Sequence, residues 1–140
     1  MLANTDIMIR ILMAIAAGAL IGFERERTKH AAGLRTHLLV CIGATLITLT
    51  SIDMFPQNPA PITAAIITGV GFLGAGTIFR DKNNVRGLTT AASIWAVAGL
   101  GVTLGAGAYT IAAAGTAAML FTLEFGRIQY VLTRKRRKWR

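Results

Sequence analysis

Five apolar runs dominate the chain, at 7–23, 38–52, 62–79, 88–104 and 106–125. Each is long enough, or nearly so, to cross about 30 Å of hydrocarbon as a helix rising about 1.5 Å per residue. None carries a charge near its middle, where an Asp, Lys or Arg costs roughly 2.5–3.5 kcal/mol on insertion. The pattern therefore predicts an all-α, polytopic membrane helix bundle of about five transmembrane helices. The weakest boundary is Gly105-Ala106-Gly107, and a four-span count follows if the runs on either side of it merge.

The polar breaks repeat. Twice, a helix ends in a charged pair, a short basic loop follows, and Gly-Leu-x-Thr opens the next helix. The first copy is Glu24-Arg25 with Gly33-Leu34-Arg35-Thr36, and the second is Arg80-Asp81 with Gly87-Leu88-Thr89-Thr90. Both copies cross in the same order, so they read as two parallel helical-hairpin repeats followed by a fifth helix, an arrangement that some transport folds use.

Charge orients this bundle. The chain has 15 Lys and Arg against 6 Asp and Glu, a net +9, which alone suggests a nucleic-acid partner. Position excludes one: with five spans, fourteen of the fifteen cations fall in the 25–35 loop, the 80–86 loop and the 127–140 tail, all on one side, leaving only Arg10 on the other. By the positive-inside rule the N-terminus faces out and the C-terminus faces the cytoplasm. Residues 1–126 form the transmembrane domain and 127–140 a basic cytoplasmic tail, suited to an anionic leaflet at about 1 kcal/mol per basic residue. A hydrophobic share of 54% agrees with that assignment. Residues 1–6 carry no positive charge and Glu-Arg-Glu-Arg follows the first run directly, so that run reads as a permanent span rather than a cleaved signal.

Candidate chemistry gathers at the cytoplasmic rim. Glu24, Asp81 and Glu124 fall at or just inside span ends, where ionisable groups are functional candidates. Together they suit a half-hydrated cation such as Mg²⁺, with Glu24 and Asp81 the candidate metal ligands. The competing expectation is structural: Glu24-Arg25 and Arg80-Asp81 are reversed pairs that can meet as crossed ion pairs between the repeats. Arg35, Thr36, Arg86, Thr89 and Thr90 stand at helix starts, where free N–H groups favour anions and where threonine also serves as a cap. His37 reads as a solvated interfacial histidine, with a pH sensor as the alternative because histidine titrates near physiological pH, and lone Cys41 as a small packing residue.

In lipid, small residues let helices approach closely. Gly18 and Gly22, and Gly69, Gly71, Gly74 and Gly76, are expected at helix contacts. Gly69, Gly71 and Gly74 also spell G-x-G-x-x-G, but the next span follows instead of a βαβ unit, which excludes a dinucleotide site. Nothing resembles a nucleophile with a positioned base, so catalysis is not expected.

Ala-Gly-Leu-Arg-Thr-His at 32–37, Gly-Val-Gly-Phe-Leu-Gly-Ala-Gly-Thr-Ile at 69–78 and Val-Arg-Gly-Leu-Thr-Thr-Ala-Ala-Ser-Ile-Trp at 85–95 resemble the MgtC/SapB family, over about residues 18–107 and including the Glu-Arg pair at 24 and 25. The resemblance implies a bacterial inner-membrane protein linked to growth in low Mg²⁺ and, in some pathogens, to survival inside macrophages. It further implies that members act as regulators restraining the ATP synthase rather than as proven transporters. Longer members carry a soluble C-terminal domain, which this sequence does not include. Thr89 stands where some virulence-associated members have Asn, so a virulence role does not transfer.

Three functional readings follow. The first is a regulator of Mg²⁺ or ion homeostasis working through contacts within the bilayer. The second is a small Mg²⁺ or proton channel or transporter, formed as a homo-oligomer. The third is a sensor of lipid or of an anionic metabolite. None calls for a resident cofactor, Mg²⁺ entering as ligand or signal.

Overall fold

The computed structural model describes the backbone of residues 2–82 and 84–137 and, within that range, the side chains as far as residue 125. Five helices follow in order: α1 (Asn4–Arg27), α2 (Leu34–Met54), α3 (Ala60–Ala75), α4 (Leu88–Gly105) and α5 (Tyr109–Arg137), with strands β1 (Phe79–Asp81) and β2 (Asn84–Arg86) between α3 and α4. Helices α1, α2 and α4 have the length and hydropathy of membrane spans, while α3 and the 109–125 part of α5 are shorter apolar helices. The protein is an all-α membrane helix bundle with one small ribbon.

Contacts fix the directions. On α2 and α4, His37 meets Ser93, Thr45 meets Gly101 and Thr48 meets Gly105, the same order along both, so these helices run parallel. On α1, Gly22 backs onto Leu34 and Gly18 onto Cys41, the reversed order of an antiparallel hairpin. The two hairpins thus stand side by side, with the loops 28–33 and 76–87 at one end, here termed the basic end.

The centre is a three-helix junction. Ala14, Ala17 and Ile21 of α1, Cys41 of α2, and Val97, Leu100 and Leu104 of α4 close one apolar core, with Ala112 of α5 against it. With no water to exclude, packing at short range must hold these helices, and glycine makes it possible. A Cβ on Gly101 would lie 2.4 Å from the Cys41 carbonyl oxygen, and one on Gly105 2.6 Å from Thr48 Cβ. In the sequence Gly101 does not stand out, and Gly105 does so only as a run boundary. Of those that do, Gly18, Gly22 and Gly74 face α2 or α4, whereas a Cβ on Gly69 or Gly71 would meet no atom within 4 Å. The packing expected of Gly69 and Gly71 is therefore absent among the described residues, because α3 is peripheral and buries only Ile66 and Gly74. Gly76 lies just beyond the end of α3 rather than between helices.

One boundary differs from the hydropathy, and one that it left weak is settled. The third run, expected to be helical to residue 79, ends at Ala75, where the Thr77 hydroxyl donates to the Gly74 carbonyl at 2.8 Å. Glycines at 71, 74 and 76 weaken the last turns, and the β-branched Thr77-Ile78 favours extension. The chain then forms the antiparallel ribbon, Arg80 opposite Val85 and Asp81 opposite Asn84. Gly87, at φ 90°, closes it so tightly that a Cβ would fall 1.9 Å from the Thr77 carbonyl oxygen. At the other end the fourth and fifth runs do not merge. Gly107, at φ 76°, turns the chain over the Arg10 guanidinium, which donates to the Gly105 carbonyl at 2.6 Å and pairs with Asp6. Tyr109 donates its hydroxyl proton to Asp6 at 3.0 Å, tying α5 to α1.

Candidate functional site

Helix α1 continues past Gly22 because Phe23-Glu24-Arg25-Glu26-Arg27 contains good helix formers and no glycine. That continuation carries Glu24 and Arg25 into the bundle, where they are 5% and 2% exposed. Arg25 Nη1 lies 3.5 Å from Glu24 Oε2. Glu24 Oε2 and the Arg25 Nε and Nη2 atoms are buried without a hydrogen-bond partner among the described residues. Such a pair is loosely made, and a buried guanidinium with unmet donors holds little net stability.

Next to it His37 is wholly buried, not solvated as the sequence suggests. Its Nδ1 lies 2.9 Å from the Gly33 carbonyl oxygen and its Nε2 3.0 Å from Ser93 Oγ on α4. Gly22 makes room for the ring, since a Cβ there would stand 3.1 Å from His37 Cβ. Thr90 and Ser93, both buried, complete a polar junction shared by α1, α2 and α4. At its outer edge Thr28 Oγ1 lies 2.8 Å from the Glu24 carbonyl oxygen and 2.7 Å from His30 Nδ1. Partial desolvation, then the nearby Arg25 charge, hold the His30 imidazole below its usual 6.5.

Of the sequence candidates, only Glu24, Arg25 and Thr90 enter this junction. Arg35, Thr36, Arg80, Asp81, Arg86 and Thr89 are exposed. The crossed ion pairs do not form among the described residues: Arg25 is the cation beside Glu24, while Asp81 accepts from the Lys82 backbone N–H at 2.7 Å on the ribbon. Glu124 pairs with Arg27 at the surface. The three carboxylates expected to share a cation are thus held in three separate settings, and among the described residues no three His, Cys, Asp or Glu side chains gather as a metal site.

Threonine capping is likewise replaced. Gly33 and Gly87 occupy the N-cap positions without side-chain bonds, and Thr36 and Thr90 lie in the third helical position, past the reach of a cap. The α2 start is served instead by Glu26, whose carboxylate accepts from the Leu34 N–H at 2.7 Å. His37, Ser93 and Glu26 are the residues that sequence reasoning missed. The Gly18/Gly22 line was the available signal for His37, because it marks where α1 presses on its neighbour. Lipid contacts of the 127–140 tail lie outside the described side chains.

The interior between the ends is closed chemically. Thr45, Thr48 and Thr116 hydroxyls donate to carbonyls four residues earlier on their own helices, and Thr45 also reaches the Gly101 carbonyl. A groove of about 250 Å³ between α4 and α5 has Thr89, Ser93 and Thr122 among otherwise apolar lining residues.

The MgtC family profile matches residues 11–129. Protein MgtC of Salmonella typhimurium strain LT2 is 47% identical over 113 residues, covering 81% of this chain and 49% of that protein. Protein MgtC of Brucella abortus is 47% identical over 104 residues, covering 74% and 44%. The Escherichia coli K12 protein named "Putative magnesium transporter YhiD" is 37% identical over 142 residues, covering 94% and 66%. The chain spans about half the length of the curated MgtC proteins it matches. No solved structure matches it.

Proposed function

The chain belongs to the MgtC family, and on that premise we propose that it is a multi-pass protein of the bacterial inner membrane that serves Mg²⁺ homeostasis as a regulator, through helix contacts with a membrane partner. The magnesium in the name of its E. coli relative supports the ionic setting. The loop charges support an orientation with N-terminus out, the basic end and tail in the cytoplasm, and the tail against anionic lipid.

One observation carries regulation over conduction. Glu24, the deeply placed carboxylate of the basic end, stands beside Arg25 in a junction where three helices meet at glycine distance. Mg²⁺ wants an octahedron of oxygens and keeps several waters. A guanidinium beside the same carboxylate repels the ion and occupies that space.

Reconstitution into liposomes tests the reading. We expect no Mg²⁺ or proton flux, together with co-purification of a membrane protein subunit from native membranes; the ATP synthase is the partner that the family resemblance suggests. Flux that disappears with Glu24→Gln would sink the regulator. It would favour the second reading, a homo-oligomeric channel or transporter, for which the unpacked glycines of α3 leave a face open to another copy.

A further inference from the structure

Ser93 has one hydroxyl proton and two acceptors within reach. Its Oγ lies 2.9 Å from the Thr90 carbonyl oxygen and 3.0 Å from His37 Nε2. Across the ring, Nδ1 is 2.9 Å from the Gly33 carbonyl oxygen, which only accepts, so Nδ1 carries a proton. In the neutral ring Nε2 is then a bare acceptor, and the Ser93 proton must leave Thr90 to serve it. Double protonation removes the conflict. Nδ1–H donates to Gly33, Nε2–H donates to Ser93 Oγ, and Ser93 O–H donates to Thr90.

The same heavy-atom positions therefore hold two proton arrangements. The charged one has one bond more, Ser93 to Thr90, and makes the bond across the α2–α4 contact charge-assisted, about twice as strong as a neutral one. The ring cannot swing away, being wholly buried with Gly22 of α1 against its Cβ. Burial is the main opponent of a second positive charge on the ring; of the charged groups, both on α1, Arg25 opposes it and Glu24 favours it. From α4 the facing groups are the uncharged Ser93 and Thr90, and on α2 itself Arg35 is turned to the surface.

We propose that His37, Ser93 and Thr90 form a proton-operated latch between the two hairpins, tightened when the compartment at the basic end acidifies and relaxed when it returns to neutral. The latch rests on hydrogen-bond geometry and stands whether the protein regulates or conducts. It makes proton activity on that side an input to how firmly α2 holds α4.

The chain has two histidines, so His30→Gln leaves His37 as the sole reporter. The full chain with that substitution, labelled with ¹⁵N in histidine and held in lipid nanodiscs, is followed by NMR of the ring nitrogens from pH 8 to pH 5. Expected are a neutral ring protonated on Nδ1 at high pH and a doubly protonated ring at low pH. Adding Ser93→Ala, which removes the acceptor of Nε2–H, moves the midpoint to lower pH by about half a unit or more. A neutral ring protonated on Nε2, a ring that stays neutral to pH 5, or a midpoint indifferent to Ser93→Ala would each overturn the proposal. The first two are read without altering Ser93, so they do not depend on how that variant folds.

Discussion

In the first hairpin the charged pair Glu24–Arg25 stays on its helix and is buried, whereas in the second Arg80–Asp81 leaves the helix and lies exposed on a ribbon. Both pairs follow a glycine, Gly18 or Gly74, that presses on the returning helix of its own hairpin. The segments after those glycines differ. Phe23-Glu24-Arg25-Glu26-Arg27 sustains α1 for another turn, whereas Gly76-Thr77-Ile78 ends α3 and turns to strand. Repeated charges do not imply repeated environments; a turn of helix kept or lost decides whether a pair becomes an interior junction or part of a solvated loop.

The largest expected effect tests the burial itself. Arg25→Ala leaves Glu24 buried beside no cation and is expected to lower stability by roughly 3–5 kcal/mol in detergent, while Arg80→Ala stays within about 0.5 kcal/mol. Equal losses in thermal or denaturant unfolding would erase the contrast between the hairpins. Their coupling is tested by a cycle: Glu24→Arg and Arg80→Glu together should show an interaction energy below about 0.5 kcal/mol, because the two side chains are not partners.

Next come the glycines that join or close the hairpins. Gly101→Ala pushes a Cβ to 2.4 Å from the Cys41 carbonyl oxygen and is expected to cost about 1–3 kcal/mol. Gly71→Ala meets nothing within the chain and should raise stability by about 0.5–1 kcal/mol, as Gly to Ala does inside a helix. A strong loss at Gly71 would show instead that α3 packs against a second copy, and cross-linking would then recover an oligomer.

A smaller effect comes from pH. His30 in the folded chain binds its proton less readily than its ordinary 6.5, so the unfolded chain takes up more protons as pH falls through that value. Stability contributed by neutral His30 is present above about pH 6.5 and lost below it. The unfolding midpoint of His30→Gln should therefore fall less between pH 7 and pH 5 than that of the unsubstituted protein; an equal or greater fall counts against it.

Much of the bundle was legible in the chain. Hydropathy located all five helices, and the repeated Gly-Leu-x-Thr marked the α2 and α4 starts to the residue. Of the site, only Glu24, Arg25 and Thr90 were read from it. Gly101 and Ser93 carried no local mark, and Gly105 was marked only as a run boundary, since a glycine or serine within an apolar run looks the same whether it faces lipid or another backbone. Glu26 was similarly hidden, because its role depends on a return of the chain to within 2.7 Å.

Apolar runs, loop charge and the repeat are properties of composition along a line, and they determined that this protein is a membrane bundle of two hairpins and a further helix. Which polar residues meet depends on the angular setting of one helix against another. That setting follows from the few places where glycines allow backbones to touch. Only the tertiary structure decided that His37 is buried against Ser93, that Glu24 answers to Arg25 rather than Arg80, and that the glycines of α3 face outward.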